Sequence, residues 1–159
     1  MPIRVSHLCK RSGLLQRGNA LSALGKDADA RESYQSVFDL LTGEPRSPRV
    51  DWERHSLYIN IGNTFSRSGD YDAANEQYDI AEQIGQDHVA GGEGNKKDGK
   101  GMVAAAKRAR AFALRRADRI DEAKALLKEV VDQQIKDNVE EAEKAAEEEK
   151  KAKAEKVAA

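Results

Sequence analysis

The stretch HSLYINIGNTFSRSGDYDAANEQYDIAEQIGQDH, from His55 to His88, decides how the whole chain is read. Tyr58, Ile61, Gly62 and Phe65 are spaced three, one and three residues apart, which places them on one face of a helix. Ala74, Tyr78 and Ala81 follow at spacings of four and three and mark one face of a second helix. Between the two sets, Ser68-Gly69-Asp70 breaks the period. Glycine suits the left-handed position that ends a helix, and aspartate suits the N-cap of the next. Gly62 and Ala74 carry the smallest side chains on their faces, so the two helices are expected to approach most closely there.

The same spacing recurs on either side. From Gly18, offsets of twelve and sixteen reach Ala30 and Tyr34, as Gly62 reaches Ala74 and Tyr78. Leu14, Leu21 and Val37 fill the remaining apolar slots, Arg17 departs from them, and Leu24-Gly25-Lys26-Asp27 forms the turn. A third copy is anchored on Ala123, with Ala111, Leu114, Leu127 and Val130 at the same offsets and Asp118-Arg119 at the turn. It is the most divergent copy: Ala111 replaces the glycine, and Lys107 and Arg110 stand where an aromatic and an apolar residue belong.

This 34-residue helix-turn-helix resembles the tetratricopeptide repeat family, with Gln86 in place of that family's usual closing proline. The resemblance implies an all-α fold, an α-solenoid of antiparallel tetratricopeptide-like helix pairs with a C-terminal charged helix. On this template residues 1–10 form an N-terminal extension, 11–44 the first repeat, 55–88 the second and 104–137 the third. The anchors Gly18, Gly62 and Ala111 are separated by more than 34 residues, so inserts are expected between the repeats. Residues 45–54, with Pro45 and Pro48, and residues 89–103, with the glycine- and lysine-rich run from Gly91 to Gly101, read as loops. Residues 138–159 read as a charged tail, helical or disordered, without the seam of a coiled coil.

Composition agrees with this reading. Of 159 residues, 30 are Leu, Ile, Val or Phe, a level at which a conventional core becomes difficult, whereas 24 are Ala, the best helix former. A large all-β or α/β enzyme is excluded. The formal net charge of -1 argues against disorder driven by self-repulsion. Cys9 is the only cysteine, so no internal disulfide forms, and a reducing intracellular compartment such as the cytoplasm is expected. Arg4, Lys10, Arg11, Arg17 and Lys26 all precede the first acid, Asp27, a pattern also found in mitochondrial presequences. No run of 18 apolar residues offers a membrane span.

Catalysis finds no foothold. Gly94-Asn95-Lys96-Lys97-Asp98-Gly99-Lys100 nearly spells a phosphate-binding loop, but Gly101 stands where the magnesium-contacting Ser or Thr is needed, and no apolar strand precedes it. His7, His55 and His88 are scattered without metal-ligand spacing. The expectation is therefore no catalytic residue, no metal, no cofactor and no enzymatic activity.

Charge is unevenly distributed. Lys96 to Arg119 carries nine basic residues against Asp98 and Asp118, whereas His55 to His88 carries Arg67 against six acids. Such segments either attract each other as neighbours or present a charged surface to a partner. In the tetratricopeptide family the first helix of each repeat lines a concave groove, which implies Asn19, Asn60, Asn63, Arg67, Arg108, Phe112, Arg115 and Arg116 as groove residues. Asn amides bond a peptide main chain and Arg forks onto carboxylates, so the expected ligand is an acidic peptide or segment of another protein. The function implied is that of a non-catalytic protein-interaction scaffold. A structural subunit of a larger multiprotein complex is the alternative. A heat-shock co-chaperone fits less well: Asn19 and Asn60 match the family's carboxylate clamp, but Leu15, Ala105 and Ala109 occupy its three basic positions. RNA or other nucleic acid also fits poorly, because the acidic second repeat opposes a phosphate backbone and aromatics are few.

Overall fold

Gly25 (φ 73°), Gly69 (φ 83°) and Asp118 (φ 61°) adopt the left-handed conformation and punctuate the chain. At each one the chain closes the same turn. Lys26 N–H donates to Leu21 O at 2.9 Å, Asp70 N–H to Phe65 O at 3.0 Å, and Arg119 N–H to Leu114 O at 2.9 Å. The left-handed residue itself donates one turn back, to Ser22, Ser66 and Arg115 respectively. These paired bonds satisfy the orphan carbonyls of a helix end and reverse the chain into the next helix.

The computed structural model describes residues 3–158, and the side chains of 8–92 and 96–154. Six helices account for almost all of it: α1 (Ile3–Ala23), α2 (Asp27–Thr42), α3 (Pro48–Arg67), α4 (Tyr71–Ala90), α5 (Glu93–Arg116) and α6 (Ile120–Ala158). No strand occurs among the described residues. Each helix packs against its neighbours in sequence, and α3 also packs against α5. No described helix is long and apolar enough to cross a membrane.

The glycines at 18 and 62 do a different task from the one their size suggested. A Cβ on Gly62 would lie 2.6 Å from Tyr78 Cε1, and one on Gly18 would lie 2.5 Å from Tyr34 Cε1. Each glycine opens a slot for a tyrosine ring that the partner helix buries completely, rather than letting two backbones touch. The backbones touch elsewhere, between α4 and α5. A Cβ on Gly99 would meet Val89 N at 2.6 Å and Gly85 O at 2.7 Å.

Two of the expected loops are helical instead. The 45–54 insert shrinks because α3 begins at Pro48, whose ring favours the first helical turn, with the Ser47 hydroxyl accepting from Val50 N–H as N-cap. The 89–103 insert likewise gives way to α5, which starts at Glu93 despite three glycines before Met102. Packing against α4 supplies what propensity lacks: Gly99 and Met102 are buried there. The expected extension at 1–10 is part of α1 from Ile3 onward, and the tail is helical as far as Ala158; Met1, Pro2 and Ala159 lie outside the described residues.

The core changes character along the chain. Between α1, α2 and α3 it contains Tyr34, Val37, Leu41, Val50, Leu57 and Ile61; between α3, α4 and α5 it is Ala74 and Tyr78 on Ala109 and Ala113; between α5 and α6 it is Ala111, Leu114 and Ala123. At the wide end Arg11, only 3% exposed, pairs with Glu44 and, at 2.9 Å, with Glu53. Burial tends to raise the Glu44 carboxyl, but its bonds to Arg11 and Arg49 outweigh this and hold it below its ordinary value.

Candidate peptide-binding groove

The expected groove residues lie on α1 (Asn19), α3 (Asn60, Asn63 and Arg67) and α5 (Arg108, Phe112, Arg115 and Arg116), at helical spacings of three or four along the latter two with Arg116 next to Arg115. On α1 and α3 they are largely engaged within the protein. Asn19 Oδ1 accepts from Tyr34 Oη at 2.9 Å and from Asn60 Nδ2 at 3.4 Å. Asn63 Oδ1 accepts from Tyr78 Oη, also at 2.9 Å. Burial pushes the Tyr78 phenol up to about 12, against the lowering influence of Arg116 and Arg67, so it stays protonated and keeps donating. Tyr34 is raised by burial in the same direction. The Gly-Asn pairs 18–19 and 62–63 thus form the same device twice: glycine seats the tyrosine ring and asparagine receives its hydroxyl.

Arg67 reaches back from α3 to the start of α2. Its Nε donates to Asp27 Oδ1 at 3.1 Å, and Nη2 bonds both Asp27 and the Ser22 hydroxyl. Asp27 lies in the first turn of α2, where a negative charge also meets the helix dipole favourably.

On α5 the basic residues divide into two groups. Lys100, Lys107 and Arg110 turn toward acids on α4 and α6: Lys100 pairs with Asp137 at 2.5 Å, Lys107 with Glu82 and Glu129, and Arg110 with Asp79 and Glu82. The acidic repeat and the basic segment are therefore in large part neighbours neutralising each other. Hydrogen bonding to Asp137 is the main cause that raises Lys100, and Asp137 is lowered because Lys100 and Gln133 outweigh its burial.

Arg108, Arg115 and Arg116 form the second group, and none makes an ion pair among the described residues. Arg115 lies over the ring of Phe112, 5.4 Å from its centroid, a cation–π contact that fixes its direction. Phe112 is 54% exposed. Arg115 and Arg116 line a cavity of about 240 Å³ with Asn63, Ser66, Arg67, Phe112 and Ala113. Six of the eight expected groove residues thus divide between this cavity and the polar ladder beside it: Asn63, Arg67, Phe112, Arg115 and Arg116 line the cavity, and Asn60 continues the ladder toward Asn19. Arg108 is not among the cavity-lining residues, and Asn19 is tied to the first hairpin. Ser66 and Ala113 were missed by sequence reasoning; their small size, which leaves the space open, is the only signal they carry.

The cavity can hold an anion. Its walls offer three guanidinium groups and an amide, and one of those cations, Arg67, is already partly neutralised by Asp27. No group of three or more His, Cys, Asp or Glu suited to a metal occurs among the described residues. No protein-family model, curated protein or solved structure matches the chain.

Proposed function

We propose that the chain is a tetratricopeptide-like solenoid that acts as a non-catalytic, intracellular scaffold, holding an acidic segment of a partner protein in the groove between α3 and α5. The observation that carries this reading is the cavity lined by Arg115 and Arg116, two arginines that make no ion pair among the described residues, together with Asn63 and Arg67. A guanidinium presents a planar fork of donors to a carboxylate, and Phe112 supplies an exposed apolar surface for a neighbouring side chain. The residues that ion-pair inside the protein, Lys107 and Arg110, hold the wall rather than the ligand.

The test is a fluorescence-anisotropy titration of labelled acidic peptides against the full chain. Binding is expected to weaken with salt and to fall about tenfold or more in the Arg115→Glu, Arg116→Glu double variant, since each lost charge-assisted bond is worth about 1.5–3 kcal/mol. An unchanged affinity in that variant would remove the groove as the binding site.

A further inference from the structure

The three hairpins repeat, which permits one to be compared with the next. α5 covers the second hairpin through Ile59 of α3 and through Tyr78 and Glu82 of α4, where Ala109 and Ala113 pack on Tyr78, and Lys107 and Arg110 pair with Glu82. The third hairpin follows the second at an offset of 49 residues, as its turn bonds show: Phe65–Asp70 becomes Leu114–Arg119. The equivalents of Ile59, Asn63, Tyr78 and Glu82 are Arg108, Phe112, Leu127 and Val131. Three of these are bare: Phe112 is 54%, Leu127 39% and Val131 51% exposed. The third hairpin therefore ends in a face shaped to receive one more helix.

The chemistry of that helix follows from inverting the pattern. α5 is an alanine-faced, basic helix laid on the acidic side of α4. On the open end Lys128, paired with Asp132 one turn on, and Val131 stand where Asp79 and Glu82 stand in the second hairpin, while Arg108 and Arg115, at the positions of Ile59 and Ser66, make no ion pair among the described residues. The missing element is an alanine-faced, acidic helix. One segment of the chain fits: Ala142, Ala145 and Ala146 share a face on α6, in a run from Glu140 to Glu149 that contains six glutamates and one lysine and is exposed throughout. Within one molecule it cannot fold back, because α6 runs unbroken from Ile120 to Ala158 and holds Ala142 in line with Leu127.

We propose that the open end formed by Phe112, Leu127 and Val131 binds the Glu140–Glu149 segment of a second copy of this chain, giving a reciprocal dimer held by charge at its rim. Alanines of one copy's tail lie on Leu127 and Val131 of the other, and glutamates pair with Arg108 and Arg115. A two-fold exchange closes on itself and forms no larger species.

Sedimentation equilibrium of the full chain tests this directly. The wild type is expected to dimerise reversibly and more weakly at high salt. Leu127→Glu with Val131→Glu, and separately Glu147→Lys with Glu148→Lys, are each expected to weaken the dimer about tenfold or more, which corresponds to about 1.4 kcal/mol. All four residues are exposed, and circular dichroism confirms that each variant is folded. None lies in the α3–α5 cavity, so acidic-peptide binding persists in the Leu127/Val131 variant even where dimerisation is lost. A monomer at every concentration, a dimer indifferent to both variants, or open-ended growth into chains of copies would overturn the proposal.

Discussion

At the residue scale the molecule depends on places where one side chain has no freedom to move. Tyr78 is fully buried, and its ring faces Gly62 at a separation that leaves no room for a methyl group. Gly62→Ala is expected to cost about 1–3 kcal/mol through overpacking. Gly43, in a right-handed conformation with open space around it, is the control: Gly43→Ala is expected to be neutral or to gain about 0.5 kcal/mol from the unfolded state. Urea denaturation of the two variants makes the comparison.

His55 is a second such place. It is 2% exposed, its Nε2–H donates to Met102 O at 2.9 Å, and its Nδ1 has no partner among the described residues. Burial lowers its pKa, and the bond to Met102 only partly offsets this. The unfolded chain therefore takes up the proton at a higher pH than the folded one. Stability from this group is complete above the ordinary histidine value of about 6.5 and is lost as pH falls below it. Thermal melts between neutral and mildly acidic pH are expected to show the loss, and His55→Gln is expected to flatten that part of the profile. Nothing in the spacing of three scattered histidines distinguished this one, because its burial depends on α5 packing over α3.

At the scale of elements, the contact between α4 and α5 is the most informative. The sequence from Gly94 to Gly101 resembles a linker on any propensity scale, and it is a helix because Gly99 brings α5 against Gly85 and Val89 of α4. Backbone meets backbone there, so a methyl group has nowhere to go. Gly99→Ala is expected to destabilise the protein by about 2–4 kcal/mol, more than Gly62→Ala, with hydrogen exchange of α5 showing the largest loss of protection. Local patterns revealed the helices of the second hairpin and the turn residues Gly25, Gly69 and Asp118, since those depend on neighbours within a few positions. Whether 89–103 was helix or loop depended on a contact between Gly85 and Gly99, in separate helices, and no local period records such a contact. The same holds for charge. The repeat template set Lys107 and Arg110 at apolar positions and Arg115 and Arg116 in the groove, but only the packing of α4 and α6 around α5 shows the acids that neutralise the first pair.

At the scale of the whole molecule, three hairpins, each closed by the same kind of turn, divide the labour between a large-residue end and a small-residue end. Arg11, Glu44 and Glu53 clamp the first end, and the tyrosine slots at Gly18 and Gly62 align the helices in between. The result brings α3 and α5 side by side and leaves Arg115 and Arg116 facing Asn63 and Arg67 across a cavity. Five of the seven residues that line this cavity stood out in the sequence, at positions to which the tetratricopeptide resemblance pointed. That Asn19 and Asn63 would bond tyrosines, and that Arg67 would pair with Asp27, was not legible there, because those partners lie on other helices. Binding of an acidic segment between α3 and α5, the function proposed for the chain, would show itself in a heteronuclear NMR titration of the full chain with an acidic peptide. Shifts should concentrate at Asn63, Ser66, Arg67 and from Phe112 to Arg116, with the Arg115 and Arg116 guanidinium signals moving together. Saturable binding whose shifts fall on α2 and the outer side of α4, leaving those residues unmoved, would contradict it.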